Sequence, residues 1–163
     1  MSRAALDRID TLISARWILP MSEGCPLLEN HALAITEGCI SGILPEAEAR
    51  GLCAHEHIAL GDQLLMPGLI NAHGHTAMSL FRGMADDQPL QQWLNEHIWP
   101  AEGQWVGEEF VRDGTALAIA EMLRGGTTTF SDMYFFPEAA AEVARRAGIR
   151  AQLCFPIFDF PSA

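Results

Sequence analysis

The rhythm of apolar and polar positions changes once along the chain. Through residues 10–60 the apolar residues fall in short runs suited to strands. Residues 10–19 carry Ile13, Trp17 and Ile18 and stop at Pro20, so a strand is expected there. Residues 31–35 and 40–44 flank Thr36-Glu37-Gly38, a hairpin turn between two further strands. Residues 45–51 read as a short helix or loop, and residues 55–60 as another strand. No long helical period occurs, so residues 1–60 are expected to form a small β-rich unit.

From Gly61 onward the pattern lengthens. Residues 64–72 are a short apolar run interrupted by Pro67-Gly68, where a buried strand is expected to end. Leu90, Trp93, Leu94, His97 and Ile98 recur with the spacing of one helix face, and Pro100 is expected to stop that helix. Residues 108–124 predict a second helix closed by Gly125-Gly126. Residues 127–133 are β-branched and aromatic, hence a strand. Pro137 opens a helix that residues 138–147 continue to Gly148, and residues 149–158 predict a last strand. Strands alternating with helices imply a parallel sheet with right-handed crossovers, in a doubly wound sheet or a (β/α)8 barrel. The first connection, from His75 to Glu108, is long and holds an extra helix. Such insertions follow the C-terminal ends of strands, where α/β proteins place their sites.

Composition narrows the function classes. The chain has 163 residues, 49% of them hydrophobic and 19% charged, which is a globular balance. With 21 acidic against 10 basic residues its net charge is -11, so nucleic acid phosphates would be repelled and no nucleic acid partner is expected. No apolar run approaches the roughly 18 residues that suggest a membrane span. The stretch Met1-Ser-Arg-Ala-Ala-Leu-Asp-Arg8 carries charges where a signal peptide needs apolar residues. Cys25, Cys39, Cys53 and Cys154 form no Cys-x-x-Cys pair and read as reduced thiols of a cytoplasmic protein.

The strongest chemical signal is His73-Gly74-His75. On an extended backbone residues i and i+2 share a face, so two imidazoles can converge on one cation, and Gly74 leaves the backbone free to bend or pack closely. The pair reads equally as histidines satisfied by backbone carbonyls at a loop entrance. His55-Glu56-His57 has the same spacing among polar residues with no apolar strand leading into it, and reads as exposed histidines on a short strand.

Three stretches carry a resemblance. Met66-Pro-Gly-Leu-Ile-Asn-Ala-His-Gly-His-Thr-Ala-Met-Ser-Leu-Phe-Arg-Gly83 resembles the first barrel strand of the amidohydrolase superfamily. Ala85-Asp-Asp-Gln-Pro-Leu-Gln-Gln-Trp-Leu-Asn-Glu-His-Ile-Trp-Pro-Ala-Glu102 resembles its deaminase and chlorohydrolase branch, closest to the 5′-methylthioadenosine/S-adenosylhomocysteine deaminase family. Gly125-Gly-Thr-Thr-Thr-Phe-Ser-Asp-Met-Tyr134 resembles the second barrel strand of that family. Residues 10–60 resemble the N-terminal part of the β-sandwich beside the barrel, so the resemblance covers essentially the whole chain.

The resemblance implies an α/β fold: part of a small β-sandwich over residues 1–60, then the first three units of a metal-dependent (β/α)8 barrel over residues 61–163. It implies hydrolytic deamination of an adenine nucleoside such as methylthioadenosine or adenosylhomocysteine. One divalent metal ion is implied, zinc first, although imidazole suits iron and nickel too. His73 and His75 match the metal-binding pair. Glu102 matches a nucleoside-binding glutamate, a carboxylate suited to a ribose diol; a solvated loop acid is the plain alternative. Trp93 matches a tryptophan near the substrate pocket and equally fits a buried helix face. Arg82 is expected to pair with Asp86 or Asp87 and hold the loop. Asp132 is expected to orient a ligand or to cap a turn. The remaining metal ligands and the proton-shuttling glutamate of the family lie on later strands, and after Tyr134 the chain offers Asp159 and no histidine. The expectation is therefore an N-terminal part of an enzyme, a fragment or a natural truncation, with no catalytic residue of its own and inactive alone. The competing readings are another amidohydrolase (a triazine chlorohydrolase, a guanine or a cytosine deaminase) and a non-catalytic product that self-associates through its open sheet edge. A homo-oligomer is compatible with either.

Overall fold

The computed structural model describes residues 9–24 and 26–159. The expectations for residues 1–8 and for Cys25 fall outside them. The chain forms two compact units that divide at Pro67/Gly68. That division lies after Gly61 because Leu64 and Leu65 pair with the first strand and so belong to the first unit.

The first unit is a five-stranded sheet. Strands β1 (Ile9–Ile18), β2 (Leu28–Thr36) and β3 (Cys39–Pro45) run antiparallel in sequence. After helix α1 (Glu46–Ala49), β4 (Ala54–Ala59) and the two-residue β5 (Leu64–Leu65) both lie parallel to β1. The β2–β3 turn forms because Glu37 and Gly38 both take positive φ, 51° and 73°, the backbone that matches the twist of a two-residue hairpin. Ile9, Leu12, Ala32, Ala34, Leu44 and Ala49 form its core. His55 and His57 stand exposed on β4. Cys39, Cys53 and Cys154 are free and exposed.

The second unit begins with β6 (Leu69–Asn71), which pairs in parallel with β7 (Thr127–Met133), itself parallel to β8 (Arg150–Cys154). Pro67-Gly68 interrupts the run as expected, and the two short strands on either side of it lie in different sheets. Gly68 sits so close to Thr128 that any side chain would overlap it. The last strand also stops earlier than expected, at Cys154, ahead of Pro156, which removes a ladder donor. Leu69 and Ile70 on one edge strand are 52% and 71% exposed, and Phe155 and Ile157 beyond the other are 62% and 87% exposed. No helix among the described residues is long and apolar enough to cross a membrane.

A 3-10 helix (Thr76–Phe81) follows β6, then a longer helical segment: α2 (Leu90–Gln92), a π-helical turn (Trp93–Ile98) and α3 (Trp99–Trp105). Pro100 does not stop this segment, contrary to expectation. A proline lacks the N–H of an α-helical bond, and its ring collides with the carbonyl four residues back. Here the turn before it is widened, with the Trp99 N–H bonding the Leu94 carbonyl, and the helix continues. Helix α4 (Glu108–Arg124) links back to β7 and helix α5 (Pro137–Ala147) joins β7 to β8. Gly114 on α4 lies against the Ala77 backbone, which lets helix and 3-10 helix meet without side chains between them. Ala77, Val111, Tyr134, Ala139 and Ala140 form one core cluster, and Ile119, Phe130, Ala144 and Ile149 another.

Candidate active site

The site lies at the C-terminal ends of β6 and β7. Asn71 ends β6, and its side-chain oxygen accepts the His73 N–H at 3.3 Å, turning the chain out of the strand. The Gly74 carbonyl accepts the Met133 N–H at 3.1 Å, which ties the turn to the end of β7. The His73 and His75 rings then stand edge to face with centroids 5.0 Å apart. His75 Nδ1 lies 2.7 Å from the Met133 carbonyl. A carbonyl only accepts, so this nitrogen carries the proton and the Nε2 lone pair is free. That is how a ligating imidazole is oriented. The alternative of two histidines occupied by backbone carbonyls holds for one nitrogen of His75 and leaves the other available.

Asp132, on β7, is 3% exposed and holds the residue after the pair. Its carboxylate accepts both the Thr76 N–H and the Thr76 hydroxyl, each at 2.7 Å. It therefore fixes the turn that carries the histidines.

A cavity of about 280 Å³ opens beside this turn, with His75, Met78, Trp93, Glu102, Tyr134 and Phe158 among its lining. Trp93 reaches it from the π-helical turn and Glu102 from α3. Glu102 is 8% exposed, so the reading of it as a solvated loop acid does not hold. Its Oε1 accepts a hydrogen bond of 2.8 Å from the Tyr134 hydroxyl. Burial raises the Glu102 carboxyl above its ordinary range, against the Tyr134 hydrogen bond and the nearby His75, which lower it. Burial and the Glu102 carboxylate also push the Tyr134 phenol well above its ordinary value, so it stays a donor at neutral pH.

The structure thus brings His75, Trp93 and Glu102 to one cavity, with His73 against His75. It adds Tyr134, which the sequence reading missed. The available signal was that Tyr134 is the chain's single tyrosine and directly follows a strand: a buried phenol needs a hydrogen-bond partner. Arg82 is a correction. It does not pair with Asp86 or Asp87 but forms a two-pronged ion pair with Glu121 of α4, at 2.9 and 2.6 Å. The packing of α4 on the 3-10 helix sets that partner, whereas spacing in the sequence pointed to the nearby loop acids. No group of three or more histidine, cysteine, aspartate or glutamate side chains placed to hold a metal occurs among the described residues. The two imidazoles, with the His75 tautomer fixed, are donors of the kind a divalent cation takes, two where a catalytic site usually has three.

Comparisons with known proteins follow the same outline. Residues 64–162 match the model of the amidohydrolase family. A 5-methylthioadenosine/S-adenosylhomocysteine deaminase from Saccharophagus degradans is 61% identical over 154 residues, covering 94% of this chain and 34% of that protein. A protein of the same name from Teredinibacter turnerae is 56% identical, over 95% of this chain and 35% of its own length. The crystal structure of an adenosine deaminase from Xanthomonas campestris with bound zinc superposes with a TM-score of 0.93 at 47% identity, covering 96% of this chain and 36% of that one. The chain spans about a third of the length of the curated relatives it matches.

Proposed function

The chain belongs to the amidohydrolase family, and from that premise we propose that the protein it comes from is a metal-dependent deaminase of adenine nucleosides, 5′-methylthioadenosine and S-adenosylhomocysteine among them. The three parallel strands with their helices are part of an amidohydrolase (β/α)8 barrel, the fold expected from the sequence. The observation that carries the functional reading is the convergence of His75, Trp93 and Glu102 on one cavity, with the Nε2 of His75 left free. The names of the relatives point to the same substrates.

In this reading His73 and His75 hold a divalent cation, zinc in the first instance. When bound, such a cation makes a water acidic enough to serve as a nucleophile at neutral pH. Asp132 keeps the histidine turn in place through Thr76. Glu102 accepts hydrogen bonds from the ribose diol, since each carboxylate oxygen has two acceptor positions and Tyr134 occupies one of the four. Trp93 contributes an aromatic wall for the nucleoside. The apolar lining around Met78 and Phe158 suits a thioether substituent on the ribose.

The test is a substrate panel on the full-length protein, following ammonia release. Deamination of adenine nucleosides, with methylthioadenosine among the good substrates, is the expected result. Turnover restricted to triazines, guanine or cytosine would overturn the assignment.

A further inference from the structure

Glu102 sits on a helix of the long insertion, and its side chain has three rotatable bonds. A carboxylate that must meet two hydroxyls of a rigid diol is effective only if it is held in one orientation beforehand. Helix α3 alone does not provide this. Tyr134 does: its hydroxyl meets Glu102 Oε1 at 2.8 Å, and both residues line the same cavity. The tyrosine is itself packed on several sides. It is 5% exposed, its ring packs in a core cluster with Ala77 and Val111, and its backbone N–H bonds the Cys154 carbonyl of β8. Its ring also packs edge-on against Phe135, at 5.2 Å between centroids.

We infer that Tyr134 is a positioning residue that aims Glu102 and so sets the preference for a substrate bearing a vicinal diol. This rests on the reading of Glu102 as the ribose-binding carboxylate. The phenol acts as a fixed donor anchored on the barrel strand, and Glu102 is the movable acceptor brought to it by the insertion. One oxygen of the carboxylate is pinned, which fixes the plane of the remaining acceptor positions in a side chain that lines the cavity. Without the phenol, Glu102 keeps its charge and its place on α3 and loses its orientation. The cost then falls on substrates with a diol and spares those without one.

The substitution Tyr134→Phe removes one oxygen and keeps the packed ring, so the fold is retained. In the full-length protein, steady-state deamination of adenosine is compared with that of 2′,3′-dideoxyadenosine, in Tyr134→Phe, Glu102→Gln and the double variant. The expected result is a loss of about 10-fold in kcat/KM for adenosine, the size of one hydrogen bond to a charged group, carried by KM. On the dideoxy substrate the loss should shrink to less than about 2-fold, and in the Glu102→Gln background Tyr134→Phe should add little on either substrate. Equal losses on both substrates would mean that the tyrosine serves packing alone and would overturn the inference. Loss of the diol preference in Glu102→Gln with full retention in Tyr134→Phe would overturn the role of Tyr134 and keep that of Glu102. An unchanged preference in both variants would overturn the ribose reading of Glu102 as well.

Discussion

The Asp132 carboxylate brackets Thr76, one oxygen on its amide N–H and the other on its hydroxyl, each at 2.7 Å and both out of water. The strand that follows α4 thereby holds the residue next to His75, so the order of the two histidines depends on a residue 56 positions beyond Thr76 in sequence.

This bracket gives the first prediction. Asp132→Ala leaves the buried Thr76 N–H without an acceptor, at about 1–3 kcal/mol, and leaves the Thr76 hydroxyl only the longer 3.4 Å contact with the Thr115 hydroxyl. Thr76→Ser, which keeps both donors, should cost far less. Urea unfolding of each variant measures the difference. Equal destabilisation by the two substitutions would mean that the Thr76 methyl group matters as much as the carboxylate.

Metal content should follow His73 and His75 and ignore His55 and His57. His75 lines the cavity with its tautomer fixed and His73 stands edge to face against it, whereas His55 and His57 lie on β4 of the other unit. Alanine replacement of each pair in the full-length protein, followed by measurement of bound metal per chain, checks this. Loss of metal from the His55/His57 variant alone would reverse the assignment.

Gly114→Ala should destabilise by about 1–3 kcal/mol, the usual range for overpacking. A methyl group there would overlap the backbone of Ala77. Gly103, on α3, has nothing within 4 Å of where its methyl would stand. Gly103→Ala should therefore be neutral or stabilising by up to about 1 kcal/mol, the helical preference for alanine over glycine. Denaturant midpoints of the two variants provide the comparison.

Stability should also carry a signature of Glu102. Burial raises its folded carboxyl above the unfolded value near about 4.3. The folded state therefore keeps this proton to higher pH than the unfolded chain. The resulting stabilisation is complete below the unfolded value and disappears as pH rises through the folded one. Unfolding midpoints taken across that window should fall more steeply with pH for the parent protein than for Glu102→Gln. Parallel curves would show that the carboxyl is solvated in solution.

Much of this architecture is legible in local sequence. The positive-φ turn at Glu37-Gly38, the long helix ended by Gly125 and the helix between Pro137 and Gly148 all rest on residues whose backbone preferences act within a few positions. The division of residues 64–72 between two sheets was not legible, because each short strand is chosen by its distant partner, β1 for one and β7 for the other. The same reason hid the Arg82–Glu121 pair and the Tyr134–Glu102 hydrogen bond. Both join residues brought together only by the packing of the insertion, and neither leaves a pattern in spacing. The histidine pair was visible as a spacing, and what distinguished it from His55 and His57 was the strand leading into it.

The π-helical turn acts as a phase shifter. An α-helix advances about 100° per residue, so two residues nine apart lie roughly 180° apart, on opposite sides. Trp93 and Glu102 have that separation, yet both face one cavity. The wide turn between them takes up one extra residue and brings the two side chains back to within roughly 80° of one another. Pro100 keeps the dial at that setting, because a return to regular α-helical bonding would drive its ring into the chain. Regular α-helical bonding through the same residues would therefore turn Glu102 to the side of the helix away from Trp93 and off its phenol, whereas removal of one residue between Trp93 and Ile98 would leave the two eight apart and still within roughly 80° of one another.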